Sequence, residues 1–297
     1  MADPGPLVAV EDPADPRLAD YRDLVDPASR RRVEAERSIM VVEGRLAVAQ
    51  LLGTDHPVRS LLVDHHRAET AADLVDGVRG RGAPVYVGSR EVVEATVGFR
   101  IHRGVVAVAE RPRPADPAAL LAAAARTPVA GGAPVVAVLE GLNDHENIGA
   151  LFRNAAAFGV GAVLLDPTCA DPLYRRSIRV SVGHVLHVPF ARLAPWPGGL
   201  DLVRSAGFAV CALSPRPAGT GRAVRTLAEL AAHPRAPSAG VALLLGAEGP
   251  GLSPEALAAA DEAVSIPMAD GVDSLNVATA AAVAFERLAH PCRACLR

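Results

Sequence analysis

Short apolar runs alternate with amphipathic stretches in the N-terminal third of the chain. Apolar runs at residues 38–42, 60–64 and 104–110 predict strands, and apolar positions recur at helical spacing within residues 45–52. Alternation of this kind indicates a small α/β domain, which we place at residues 17–110.

The same alternation resumes in the C-terminal half, where the strand-like runs are apolar throughout. Helices are predicted at about residues 148–158 and 274–288. Continuously apolar strands are typical of a parallel sheet that is covered on both faces. The predicted strands are residues 135–140, 161–166, 184–189, 208–213, 241–245 and 264–267.

Proline, glycine and alanine mark the boundaries of these two domains. Repeated Asp-Pro units predict a disordered tail at residues 1–16, and helical signals begin near Arg17. Residues 111–134, which enclose an alanine-rich helical stretch, have the composition of a linker. The second domain is therefore expected at residues 135–291, followed by a short tail at 292–297.

Composition and charge limit the classes of function. Half of the residues are apolar and 3% are aromatic, so Ala, Val and Leu must fill the cores. All 30 basic residues are arginine, and the formal net charge of −3 argues against bulk attraction of nucleic acid but allows a local basic patch. No apolar run approaches the roughly 18 residues that span a bilayer, and no signal pattern is present. We expect a soluble, cytoplasmic protein with no membrane partner.

Ligands of parallel α/β sheets bind outside the carboxyl ends of the strands, so the loops after the strands are the expected location of functional residues. The first loop carries Asn147 at a helix entrance and Arg153 on an otherwise apolar helix. Asn147 could simply cap the helix. Arg153 is equally compatible with an exposed surface residue and with a contact to phosphate and ribose.

The second loop contains Gly246, Gly249 and Gly251 around Glu248. Glycines allow close approach of a ligand to the backbone, although tight turning alone also explains them. The loop lacks the dinucleotide and Walker A fingerprints. Ser253 before a proline predicts the N-cap of the next helix.

The third loop ends at Ser274-Leu275-Asn276, where Ser274 is a candidate N-cap. Asp270 and Asp273 form an acidic turn, but nothing in the sequence indicates that they converge on a metal. Cys292 and Cys295 form a single C-x-x-C without a second ligand pair, so we expect reduced thiols and no metal site.

In this order, the three loops resemble the motifs of the SpoU (TrmH-like) branch of the SPOUT methyltransferases. The matching segments are residues 147–157, 246–252, and 266–268 with 274–276. The stretch 175–190 is also similar to the family, and the resemblance covers about 135–287. More loosely, residues 17–110 resemble the L30e-like substrate-binding domain that often precedes this catalytic domain.

The resemblance implies an α/β fold with a C-terminal parallel-sheet SPOUT domain that contains a deep trefoil knot. It implies an RNA 2′-O-ribose methyltransferase that uses S-adenosylmethionine and acts as a homodimer, with the active site at the subunit interface. Arg153 would activate the 2′-hydroxyl, and the other catalytic positions would be Asn147, Glu248, Ser274 and Asn276. The cofactor would be bound by Gly246, Ile266, Met268, Leu275 and Asn276.

The substrate and the chemistry have alternatives. The extra N-terminal domain favours ribosomal RNA over tRNA, and a catalytically silent RNA-binding protein of the same fold is a second class. A nucleotide-dependent oxidoreductase is disfavoured because no dinucleotide fingerprint follows a predicted strand. Candidate phosphate contacts are Arg30, Arg31 and Arg32; Arg100, His102 and Arg103; and Arg175, Arg176 and Arg179.

Overall fold

A computed structural model describes residues 4–101, 104–126, 133–214, 224–232 and 240–289. The strands are β1 (Leu7–Ala9), β2 (Ile39–Glu43), β3 (Val58–Asp64), β4 (Val85–Gly88), β5 (Val105–Glu110), β6 (Val135–Glu140), β7 (Ala162–Leu165), β8 (Phe190–Arg192), β9 (Phe208–Leu213), β10 (Val224–Thr226), β11 (Gly240–Gly246) and β12 (Glu262–Ser265). The helices are α1 (Pro27–Glu36), α2 (Arg45–Leu52), α3 (His65–Ala68), α4 (Ala72–Arg79), α5 (Arg90–Val97), α6 (Pro117–Arg126), α7 (His145–Ala157), α8 (Arg175–Val180), α9 (Leu200–Ser205), α10 (Leu227–Ala232), α11 (Pro254–Ala259) and α12 (Val277–Ala289).

The chain divides into two compact units. The N-terminal unit comprises Met1–Arg113 together with Leu173–Leu186, and the C-terminal unit comprises Pro114–Pro172 and His187–Arg297. One difference from the predicted boundaries is that residues 173–186, which were assigned to the catalytic domain, pack with the N-terminal unit. Residues 292–297, the predicted C-terminal tail with Cys292 and Cys295, lie outside the described part of the chain.

A five-stranded mixed sheet with the order β1-β4-β3-β5-β2 forms the N-terminal unit. The prediction of a disordered tail is wrong for Leu7–Ala9, because β1 pairs in parallel with β4 and places Leu7 opposite Val85. Val8 packs on the core and the next residue, Val10, is buried in it. Burial of these two valines and the ladder hydrogen bonds together order a segment whose composition alone indicates disorder.

Helical signals begin near Arg17 in the sequence, but the helical structure that follows is interrupted. A 3₁₀ turn covers Pro16–Tyr21, and α1 begins only at Pro27. The Asp26 carboxylate accepts a hydrogen bond from the amide of Ser29 and so caps the new helix. Tyr21 is fully buried, which raises the pKa of its hydroxyl.

A buried carboxylate joins residues 173–186 to the rest of the N-terminal unit. The Glu43 side chain is 4% exposed and lies 3.2 Å from Nη1 of both Arg175 and Arg179. The Arg175 guanidinium also stacks 3.9 Å from the Phe99 ring, and Arg30 lies 3.4 Å above Tyr174. Arg30, Arg175 and Arg179, three of the candidate phosphate contacts, therefore have partners inside this unit.

Glu43→Ala is expected to lower the free energy of unfolding by about 3 kcal/mol, because it leaves the mostly buried Arg175 without its counter-charge. Urea unfolding of the full chain measures the change. The matched control is Glu94→Ala, which removes the exposed i,i+4 pair with Arg90 and should cost no more than about 0.5 kcal/mol. Equal losses in the two variants would contradict a structural role for Glu43.

A seven-stranded sheet forms the C-terminal unit, with the order β10-β12-β9-β11-β6-β7-β8. Every pairing in it is parallel, as the apolar strands predict. All six residues of β6 are buried, in agreement with helices on both faces. The trefoil knot stays a prediction.

Two assignments at the margins of this sheet are corrected. The expected strand at 184–189 is wrong: His184–Leu186 is a 3₁₀ turn, and the strand is Phe190–Arg192. The expected linker contains α6, which is part of the C-terminal unit because Leu121 and Ala124 are buried in its core. Leu120 and Ala125 pack against the same core, so the apolar face of this alanine-rich helix docks it on the sheet.

Candidate functional site

Three loops follow the carboxyl ends of β6, β11 and β12. Because the sheet is parallel, these loops lie at the same edge. Their residues come from three distant parts of the sequence, and each loop is shaped by a different local interaction.

The first loop leads into α7, which begins earlier than predicted. Asp144, and not Asn147, is the N-cap: its Oδ1 accepts hydrogen bonds from the amides of Glu146 at 2.5 Å and Asn147 at 3.4 Å. The side chain of Asn147 is therefore available for another contact. The capping explanation for Asn147 is wrong.

The second loop is a tight turn in which the amide of Gly251 donates to the carbonyl of Ala247 at 3.0 Å. A Cβ on Gly246 would collide with the backbone of Gly251 and Leu252, so only glycine fits there. Gly249 and Gly251 have φ of +88° and +73°, and a Cβ on either would point into open space. The predicted N-cap of α11 is confirmed, since Ser253 Oγ accepts from the amide of Ala256 at 3.1 Å.

The third loop leads into α12, and Asn276 is the residue that caps this helix. Asn276 Oδ1 accepts hydrogen bonds from the amides of Ala278 at 3.0 Å and Thr279 at 3.1 Å. The expectation that Ser274 is the N-cap is wrong, because α12 begins at Val277. Ser274 lies instead in the lining of a cleft.

One amide group ties the three loops together. Asn276 Nδ2 donates to Asn147 Oδ1 at 2.8 Å and also to Glu248 Oε1. The carbonyl and the amino group of the same side chain thus cap α12 and hold the other two loops. The structure brings together three of the predicted catalytic residues.

An open cleft lies between the second and third loops, at the ends of β9 and β11. Gly246, Ile266, Met268 and Leu275 all line it, and the Leu275 side chain is 40% exposed there. The complete lining is Leu213, Ser214, Leu245, Gly246, Ala247, Glu248, Gly249, Gly251, Leu252, Ile266, Met268, Ser274, Leu275, Val277 and Ala280. Sequence reasoning missed Leu213 and Ser214, because nothing local indicates that β9 lies beside β11.

Arg153 is exposed on α7 and makes no hydrogen bond or ion pair with any residue that the structure describes. Glu248, Ser274 and Asn276, which the resemblance makes catalytic together with Arg153, form no hydrogen bond or ion pair with its guanidinium. The neighbouring Asn154 holds α7 in place, since its Nδ2 donates to the carbonyl of Ala278 on α12 at 2.8 Å.

The described residues contain neither a metal-binding cluster nor a membrane-spanning helix. No group of three or more His, Cys, Asp or Glu side chains is arranged to hold a metal ion there. No helix within those ranges is both long and apolar enough to cross a bilayer. Asp270 and Asp273 are exposed.

A parallel sheet with an apolar, glycine-lined cleft at its carboxyl edge defines an α/β protein that binds a small organic cofactor there. Residues 134–286 match the model of the SpoU rRNA Methylase family, and residues 41–115 match the model for RNA 2′-O ribose methyltransferase substrate binding. The chain belongs to the SpoU family and carries an N-terminal substrate-binding domain. The predicted class, an RNA methyltransferase with a SPOUT fold, is confirmed.

Similar proteins cover nearly the whole chain. An uncharacterized tRNA/rRNA methyltransferase of Mycobacterium bovis is 45% identical over 92% of this chain and 88% of that protein. The AdoMet-bound rRNA methyltransferase from Sinorhizobium meliloti is 25% identical, with a TM-score of 0.72 over 95% of this chain and 97% of its own. The SpoU methyltransferase AviRb from Streptomyces viridochromogenes shares the fold at 23% identity, with a TM-score of 0.73 over 93% and 98% of the two chains.

Proposed function

We propose that this protein transfers a methyl group from S-adenosylmethionine to a ribose 2′-hydroxyl of RNA, and that the RNA is ribosomal. The observation that carries the proposal is the position of the Asn147–Asn276–Glu248 network, which adjoins an apolar cleft through Glu248. The network is polar and suits the ribose. The neighbouring cleft is apolar and suits S-adenosylmethionine.

The lining of the cleft fits S-adenosylmethionine. Leu275 and Met268 are apolar side chains that reach solvent beside the glycine loop, and they suit the faces of an adenine ring and a methionine chain. Gly249 and Gly251 leave the loop backbone uncovered, so its polar groups can meet a ligand directly. The structural relative from Sinorhizobium meliloti with bound AdoMet supports the same assignment.

Arg153 is the residue to which we assign activation of the hydroxyl. When bound, S-adenosylmethionine supplies an electrophilic methyl group. An arginine stays protonated in proteins, so Arg153 stabilises the developing alkoxide and orients the adjacent phosphate, while the hydroxyl proton is released to water. Glu248, Ser274 and Asn276 position the ribose, and Asn147 supports the first loop.

The second subunit of a homodimer would complete this site. Arg153 is exposed and has no partner among the described residues, whereas Asn147, Glu248 and Asn276 are hydrogen-bonded to one another. An arginine presented to the ribose at a subunit interface accounts for both observations.

Incubation of the purified protein with labelled S-adenosylmethionine and RNA tests the proposal. Label is expected in ribosomal RNA, and digestion to nucleosides should recover it in a 2′-O-methyl ribose, while a substrate with 2′-deoxyribose at the mapped position should accept none. Label in tRNA would reassign the substrate, and label on a base would reassign the atom. Calorimetry that detects no cofactor binding would support a silent RNA-binding protein.

A further inference from the structure

We propose that Glu140 is a positioning residue for the cofactor cleft and that it couples the glycine loop, residues 246–252, to Trp196. The inference rests on the proposed function of the cleft. Glu140 is the last residue of β6 and is 8% exposed, and it is not among the residues that line the cleft. It is a buried carboxylate that the proposed methyl-transfer chemistry does not use.

Glu140 adjoins both ends of the glycine loop. At the first end, it lies opposite Gly246 in the β6–β11 ladder. At the other end, its Oε2 accepts a hydrogen bond from the amide of Ser253 at 2.8 Å, and its Oε1 accepts one from Ser253 Oγ at 2.6 Å. A single residue therefore holds both ends of the loop, one through its backbone pairing with β11 and the other through its side chain.

The third donor to this carboxylate is the indole of Trp196. Trp196 Nε1 donates to Glu140 Oε1 at 2.6 Å, and the ring packs against the core of the C-terminal unit. An ionised carboxylate only accepts hydrogen bonds, so it satisfies the Trp196 and Ser253 donors at once. A glutamine amide has one accepting oxygen. Its amino group only donates hydrogen bonds, so it would face the N–H of Ser253 or of Trp196 without bonding to it.

Ser253 transmits the position of Glu140 to the helix that follows. Its hydroxyl donates to Glu140 and also accepts from the amide of Ala256, as the N-cap of α11. A shift of the glycine loop on cofactor binding must therefore alter the Glu140 hydrogen bonds, and with them the surroundings of the indole. Trp196 is the one tryptophan of the chain, so its fluorescence reports this site alone.

The test is a titration of the full-length protein with S-adenosylhomocysteine, followed by calorimetry and by tryptophan fluorescence. In the wild type, fluorescence should change along the binding isotherm. Glu140→Gln should weaken binding about tenfold and abolish the fluorescence response, and Glu140→Asp should recover part of both. In activity assays, Glu140→Gln should raise KM for S-adenosylmethionine and leave kcat within about twofold.

Glu262→Gln is the matched control, because Glu262 is a poorly exposed carboxylate at the amino end of β12 that pairs with Arg225 at 2.8 Å. It should bind S-adenosylhomocysteine like the wild type. Trp196→Phe keeps both Ser253 hydrogen bonds and should change the affinity by no more than about twofold.

Wild-type affinity in Glu140→Gln would overturn the inference and leave the proposed function standing. Wild-type protein that binds S-adenosylhomocysteine by calorimetry without any change in Trp196 fluorescence would also overturn it, and this result does not depend on whether the variant folds. Absence of binding by the wild type would overturn the proposed function, and the inference with it.

Discussion

Arg153→Ala is expected to lower kcat for methyl transfer by about 10²–10³-fold while the affinity for S-adenosylmethionine stays at the wild-type value. The reason is that Arg153 lies outside the cleft lining, so its removal leaves the proposed cofactor contacts intact. The lost interaction is one that forms with the reacting ribose and its phosphate. Single-turnover methylation and calorimetry, measured on the same preparation, separate the two effects.

Arg113→Ala is the control for loss of a positive charge, since Arg113 is also exposed and lies in the N-terminal unit. It should retain nearly full kcat. Arg153→Lys keeps the charge but not the planar fork, and it is expected to recover only part of the rate. A full single-turnover rate in Arg153→Lys would contradict the role that we assign to the guanidinium.

Gly246→Ala is expected to abolish measurable cofactor binding, a loss of more than about 100-fold. The new Cβ would collide with the backbone of Gly251 and Leu252, which cannot move aside as a flexible side chain could. Either the turn opens or β11 shifts, and both deform the cleft. Calorimetry with S-adenosylhomocysteine measures the loss, and circular dichroism checks that the sheet is retained.

Gly249→Ala separates this collision from ordinary backbone strain. Gly249 has φ of +88° but open space where its Cβ would lie, so alanine there costs about 1 kcal/mol and reduces the affinity about tenfold at most. If Gly246→Ala and Gly249→Ala reduced the cofactor affinity equally, the collision at Gly246 would not be the cause of the loss.

Much of the site was predictable because its motifs are local. The positions of Gly246, Ile266, Met268 and Leu275 after two apolar strands were sufficient to expect them at one edge of the sheet, and the structure places all four in one cleft. The sequence did not indicate which hydrogen bonds each polar side chain forms. Asn276 caps α12 and holds Asn147 and Glu248 as well, although the sequence indicated Ser274 as the cap.

Non-local packing also decides to which unit two segments of the chain belong. Residues 173–186 read as part of the second domain because they follow its first strands in the chain. Their place is decided by Glu43, which lies about 130 residues earlier and binds Arg175 and Arg179. In the same way, the core of the C-terminal unit makes α6 part of that unit through Leu121 and Ala124, although its composition is that of a linker.

The sequence by itself determined two α/β units and a parallel sheet, because the burial of a strand follows from the apolar pattern of adjacent residues. The three loops indicated an RNA methyltransferase through their resemblance to the motifs of the SpoU family. Only the tertiary structure decided which side chains meet: Asn276 with Asn147 and Glu248, and Glu140 with Ser253 and Trp196. The physical reason is that these hydrogen bonds join residues brought together by strand order in the sheet, and no local pattern specifies that order.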